Sequence, residues 1–369
     1  MHPGRRLKQL LEEKGWSQDE LAQITGKNRQ TVSNIVSGRT GVSPEMAIAL
    51  GAAFGNDPAD WLRWTAEYEL SVSEADGAIV EKRARLFSLA PIREMQKRGW
   101  IRSSDKDADL ESDLTSFFGA SPYSDISFPV AARRTAMLDD LNPAERAWCF
   151  RARQISEPIL VNEFKRDRLP AAEKRLRQAA AFPKEANKVS TILSDFGIRF
   201  VVVEPLSGAK IDGASFFLDD TNPVIAVSLR YDRIDAFWHT LFHEFAHIKH
   251  GDSYSVDTTF QQNNEGGITI LLADDQQEKR ANESASDALI PRDEIESFIR
   301  RLAPFYSSDR IVQFAHRMKI HPGIIVGQLQ YRGEIGYGAL RTFLVKIRSI
   351  VIETALTDGW GLTISPTLF

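Results

Sequence analysis

The run His243-Glu244-Phe245-Ala246-His247 constrains this chain more than any other stretch, because its chemistry exists only if the segment is a helix. Residues four apart in a helix share one face, so both imidazoles can reach one cation, while Glu244, about 100° around the axis from His243, can contact a water on it. Four of the seven histidines (His239, His243, His247, His250) fall in this stretch. The H-E-x-x-H arrangement points to hydrolysis at a bound zinc. The same pattern also arises by chance in helices whose histidines only pack, so the rest of the chain has to decide.

A length of 369 residues predicts two or three domains. Hydrophobic content of 43% with 26% charge is that of an ordinary globular protein, and a net charge of −4 names no partner. Local contrasts say more. Residues 1–40 hold seven Lys/Arg against four acids, whereas residues 252–277 hold five acids and no Lys or Arg. A single cysteine, Cys149, excludes an intrachain disulfide and a Cys-rich metal site, and is expected to pack in a helix as a small hydrophobe. The N-terminus reads as a charged amphipathic stretch and not as a signal peptide, and no run approaches the ~18 apolar residues of a membrane span. A cytoplasmic protein without a membrane partner is expected.

The first seventy residues read as short capped helices. Arg5–Lys14 places Leu7, Leu10 and Leu11 at helical spacing and stops at Gly15. Ser17-Gln18-Asp19-Glu20 is a capping box for a second helix that turns Leu21, Ala22 and Ile24 inward. Gly26 supplies a turn, and Asn28–Ser37 forms a third helix with Val32, Ile35 and Val36 as its buried stripe. Ser43-Pro44 and Asp57-Pro58 start two more. Five short helices with a tight second-to-third turn make an all-α helix-turn-helix domain, whose third helix would lie in the major groove. Asn28, Arg29, Gln30, Thr31, Ser33 and Asn34 on that helix, with Gln18, are the candidate DNA-binding residues, offering amides suited to adenine and a guanidinium suited to guanine or phosphate. The bland alternative is a solvated polar face.

This stretch resembles the Cro/repressor-type helix-turn-helix in its HigA-like antitoxin branch. Leu10-Leu11-Glu12-Glu13-Lys14-Gly15-Trp16-Ser17-Gln18, Leu21-Ala22, Thr31-Val32-Ser33, Ser37-Gly38 and Ala59-Asp60-Trp61-Leu62 carry the resemblance.

Residues 71–141 read as a helical connector, helical near Asp76–Gly99 and then an irregular loop over the polar segment Ser103–Ser127. Asn142-Pro143-Ala144-Glu145 caps a helix to about Gln154, and Ala171–Ser194 is helical with a break at Pro183. After Gly197 the period changes: Arg199–Pro205, Ala214–Leu218 and Val224–Leu229 are predicted strands of a small sheet. Asp232 then starts the long helix through His250. Helix-rich flanks around a short sheet make this an α+β layout.

A hydrolytic zinc needs three protein ligands and one open position. His243 and His247 supply two, and since Ser253 stands where a longer motif would place a third histidine, a carboxylate from a following helix is expected. Glu278-Lys279-Arg280-Ala281-Asn282 opens such a helix, with Ala281, Ala285, Ala288 and Leu289 on a packing face. Gly197–Pro291 resembles the ImmA/IrrE family of zinc metallopeptidases, through H-E-x-x-H and the matching positions Glu278, Ala281, Asn282, Ala285, Leu289 and Pro291; it departs at Ser284, where the family usually has an aromatic. The resemblance implies a zincin-like domain with zinc as cofactor, Glu278 as the third ligand and Asn282 supporting the ligands. A rival register makes Glu283 the ligand. In either, Glu244 is the catalytic general base that deprotonates the attacking water. His239 is expected to pack, while His250, Tyr254, His321 and Tyr331 are possible oxyanion partners. The motif-bearing helices also resemble longer family members in Ile320–Gln330.

The expected division is a helix-turn-helix domain over 1–70, a connector over 71–141, a metallopeptidase domain over 142–331 and an extension over 332–369. The function read from it is a DNA-binding transcriptional regulator whose zinc metallopeptidase domain cuts a repressor, a partner or itself. The alternative is a HigA-like antitoxin or repressor whose metallopeptidase-like domain is a sensor or partner-binding module with little catalysis. Expected partners are operator DNA, bound as a homodimer, and a protein substrate or toxin-like partner.

Overall fold

The structure, a computed structural model, describes residues 2–73, 77–104, 106–121, 141–252, 254–257, 260–262, 268–270 and 276–359. The chain divides into two compact units, Met1–Glu81 and Lys82–Phe369. Among the described residues, no helix is long and apolar enough to cross a membrane.

The first unit is built from α1 (Pro3–Lys14), α2 (Gln18–Thr25), α3 (Arg29–Val36), α4 (Pro44–Phe54) and α5 (Pro58–Val72). Side chains of His2, Ser17, Asn28, Ser43 and Asp57 accept hydrogen bonds from the first-turn amides of these helices in turn. Gly26, with φ 65°, makes the left-handed step that ends α2 and lets α3 begin two residues later. Leu7, Leu21, Val32, Ile35, Met46, Leu50 and Trp61 form the core. Two positions expected inside are not: the turn at Gly26 leads the chain away from the last turn of α2 and leaves Ile24 49% exposed, and Val36 lies half-buried at the core's rim.

The second unit follows as α6 (Gly77–Leu89, crossing the boundary), α7 (Ile92–Lys97), α8 (Asp107–Phe118), α9 (Pro143–Ser156), α10 (Leu169–Ala179) and α11 (Val189–Asp195). Then come β1 (Arg199–Val202), β2 (Gly213–Phe217), β3 (Pro223–Val227), α12 (Ile234–His250), β4 (Tyr254–Asp257), β5 (Phe260–Gln262) and β6 (Ile268–Ile270). The unit ends with α13 (Gln276–Leu289), α14 (Arg292–Leu302), α15 (Ser308–Met318), α16 (Pro322–Tyr331), α17 (Arg348–Val351) and β7 (Leu356–Thr357).

The three predicted strands form the centre of a five-stranded mixed sheet, in the order β4-β2-β3-β1-β7. β1 runs parallel to β3 and β7, and β2 antiparallel to β3 and β4. Successive side chains in a strand point to opposite faces, and both faces here are covered. Phe200, Val202, Ile225 and Val227 join the core that contains α12, whereas Val201, Val203, Val224 and Ala226 join the core of α6 to α9.

Three expectations change. The predicted irregular loop contains α8, whose Leu110, Leu114, Phe117 and Phe118 lie on one buried face. With Leu86 and Met95 they build the core on one side of the sheet, so this part of the expected connector folds with the second unit. Residues beyond 331 do likewise, since Ile347, Val351 and Ile352 are core and β7 pairs with β1. Asp232 does not start α12. The helix begins at Ile234, and Asp232 instead accepts the amides of Ile347 and Arg348 at 2.9 and 2.7 Å. Cys149 is buried in α9, as expected.

Candidate functional site

Two constellations stand out, one in each unit. In the first, the capping box fixes α2: Ser17 Oγ accepts from Glu20 N at 3.2 Å, and Glu20 Oε2 accepts from Ser17 N at 2.7 Å. Asn28 Oδ1 caps α3 by accepting from Thr31 N at 2.7 Å and Thr31 Oγ1 at 2.8 Å. Arg29 and Gln30 are exposed, while Gln18, Thr31, Ser33 and Asn34 are half-buried. Arg29 pairs with Asp19 of α2 at 3.0 Å, and Gln30 Nε2 donates to Asn34 Oδ1 at 2.9 Å, so the outward side chains of α3 are mutually ordered.

In the second unit α12 and α13 pack against each other through Ala281, Ala285 and Leu289, whose small side chains allow close approach. That packing brings Glu278 onto the two histidines of α12. His243 Nε2 lies 3.0 Å from His247 Nε2 and 3.0 Å from Glu278 Oε2, and His247 Nε2 lies 3.4 Å from Glu278 Oε1. Ligand atoms of the three side chains lie within 4.8 Å of one another. Glu244 is fully buried beside them, against Gly213 of β2.

The far nitrogens of the rings are also engaged. His247 Nδ1 donates to Asp252 Oδ2 at 2.9 Å, and His243 Nδ1 donates to Asn282 Oδ1 at 3.0 Å. Both oxygens can only accept, so each ring carries its hydrogen on Nδ1 and turns the Nε2 lone pair inward. Two lone pairs and a carboxylate then converge on one point, an arrangement that suits a cation. The electrostatics agree. Burial disfavours charge on His247, yet its hydrogen bonds to Asp252 and Glu278 and the fields of Glu244 and Glu278 outweigh this and push the imidazole up to about 10. Burial likewise raises Glu278, but hydrogen bonds from His243 and His247 hold it far below the usual carboxylate range. Two imidazoles and one carboxylate could hold a divalent ion with a position left open.

Of the other candidates, Glu283 stands exposed and faces Arg292 at 3.7 Å, outside the cluster. His239 is buried and donates from Nε2 to the same Asn282 oxygen at 3.2 Å. His250 Nε2 lies 3.0 Å from Ser284 Oγ, and His321 accepts from Gly323 N to cap α16. Tyr331 is 37% exposed in a pocket that also has His239, Arg233 and Gln328 on its wall. The Tyr254 side chain lies outside the described residues. Asp252 and Arg280 were not singled out from sequence, and their acidic and basic neighbours gave no spacing signal that could have found them.

Residues 7–61 match the family model described as helix-turn-helix. The N-terminal region is similar to virulence-associated protein A' of Dichelobacter nodosus, with 39% identity over 71 residues that make up 19% of this chain and 62% of that protein. It is also similar to antitoxin HigA-1 of Vibrio cholerae serotype O1, with 43% identity over 60 residues, 16% of this chain and 56% of that protein. The chain thus spans about three fifths of the length of the curated relatives it matches.

Proposed function

We propose that this chain is a DNA-binding regulator whose second unit is a zincin-like metallopeptidase domain of the ImmA/IrrE type. The observation that carries the second half is the convergence of His243, His247 and Glu278 beside Glu244 on one helix. The matched helix-turn-helix and the antitoxin-like relative support the first.

Zinc fits a donor set of two imidazole nitrogens and a carboxylate; when bound, it supplies a Lewis acid for a peptide carbonyl and acidifies water. His243, His247 and Glu278 hold the ion, and Asn282 fixes the tautomer of His243. Glu244 takes the proton of the attacking water and passes it to the leaving amine. α3 lies in the major groove of an operator, with Arg29 and Gln30 toward base edges and Asn28, Thr31, Ser33, Asn34 and Gln18 ordering or flanking them. The operator is bound by a homodimer, and the peptidase domain acts on a protein substrate or partner.

A second reading also has an observation behind it. His243 and Glu244 have no solvent exposure and His247 has 1%, so a peptide has no path to them in this conformation. That favours a sensor or partner-binding module attached to an antitoxin-like repressor. Metal analysis of wild type and Glu244→Gln, with both incubated with co-purifying partners, separates the two. Stoichiometric zinc in both and cleavage lost only in Glu244→Gln supports the peptidase. If zinc is held but no partner or self-cleavage depends on Glu244, the sensor reading stands. Replacing Arg29 and Gln30 should abolish binding to the protein's own promoter region, and unchanged binding would overturn the assignment of α3.

A further inference from the structure

We infer that Asp252 and Arg280 are a pair of positioning residues for the metal ligand His247, an inference that rests on the zinc reading above. Asp252 follows the Gly251 cap of α12 and reaches back to the Nδ1 of His247 at 2.9 Å. Its carboxylate is in turn held by Arg280 of α13, whose Nη2 lies 3.1 and 3.2 Å from the two oxygens. The Asp252 side chain is 8% exposed and the Arg280 side chain 47%, so the carboxylate is enclosed and the guanidinium forms its outer wall.

The geometry assigns distinct tasks to the two. A carboxylate accepts only, so Asp252 keeps the hydrogen of His247 on Nδ1 and fixes the ring plane, which leaves the Nε2 lone pair aimed at Glu278 and His243. Arg280 supplies a planar donor that can bridge both oxygens, so the carboxylate cannot rotate away from the ring. Arg280 stands two residues after the ligand Glu278 on the same helix. One side chain therefore ties the helix that gives the third ligand to the support of the second. His243 has a neutral support in Asn282, and His247 a charged one; the charged support adds electron density to its ring and strengthens its bond to a cation.

Zinc affinity of the full-length chain, measured by competition with a chromophoric chelator at fixed pH and salt, tests this. Asp252→Ala is expected to weaken zinc about 10- to 100-fold, with a smaller loss for Arg280→Gln. Arg280→Lys, which keeps charge and loses the fork, should fall between Arg280→Gln and wild type. The double variant Asp252→Ala/Arg280→Gln should bind no more weakly than Asp252→Ala, because both act through one contact. Should Asp252→Ala fail to fold, Asp252→Asn and Arg280→Gln carry the test, with circular dichroism confirming their folds. Affinities within threefold of wild type in Asp252→Asn and Arg280→Gln, or fully additive losses, overturn the pair while leaving zinc binding intact. A wild type that yields no zinc-dependent signal overturns the zinc reading itself.

Discussion

Gly213 and Glu244 shape one another. A Cβ on Gly213 would fall 3.0 Å from Glu244 Oε1 and 2.7 Å from Thr240 Cγ2, so β2 reaches α12 at this point only because residue 213 lacks a side chain. Gly213→Ala is expected to displace Glu244 and to lower stability by about 1–3 kcal/mol, read as a lower urea midpoint at unchanged slope. An unchanged midpoint would mean that strand and helix part freely here. Glu244→Gln keeps the shape and removes the base; on the peptidase reading it retains zinc and slows cleavage about 100-fold or more. Equal cleavage by the two proteins would place the base elsewhere. Spacing alone was enough to put His243, Glu244 and His247 on one helix, and family resemblance added Glu278 and Asn282. Asp252 and Arg280 were illegible because they stand 28 residues apart, and only the return of the chain to α12 makes them neighbours.

At the scale of elements, the step from α2 to α3 depends on local bonds that sequence displays well. Ser17→Ala removes the acceptor for Glu20 N and should cost about 1 kcal/mol in the first unit, measured by its thermal midpoint. Glu20 adds a pH dependence. Hydrogen bonds from the Ser17 amide and hydroxyl lower its pKa, so its stabilisation is present above the usual glutamate range and is lost as pH falls through its lower folded value. Glu20→Gln should flatten that acid limb, and an unchanged limb would assign it to another carboxylate. The helix α8 shows the opposite case. Its apolar positions Leu110, Leu114, Phe117 and Phe118 do have helical spacing, but acids and serines between them give the look of a solvated loop. The edge strands β4 and β7, four and two residues long, are too short for a periodic signal and are defined by pairing with β2 and β1.

At the scale of the whole molecule, each unit has its own hydrophobic core, and the proposed ligands all belong to the second. The expected boundary near residue 70 rested on the end of a capped-helix series, whereas compactness places it at Glu81, because α6 begins with exposed residues and buries Leu86 only past that point. Zinc, on the proposed reading, joins α12 to α13, two helices separated by the whole stretch from β4 to β6. A ligand that binds only the folded state stabilises it by mass action, about 2.7 kcal/mol when free zinc is about 100-fold above its Kd. Scanning calorimetry should therefore show two transitions, and a chelator should lower the one belonging to the second unit by several degrees. The transition of the first unit holds no ligand of the site and should stay where it is. A chelator shift in both would tie the helix-turn-helix to the metal energetically, as a sensor that signals to DNA requires; a shift in neither would remove zinc from the account of the fold. The same scan on Glu244→Gln distinguishes loss of metal from loss of base, since only the former moves the second transition.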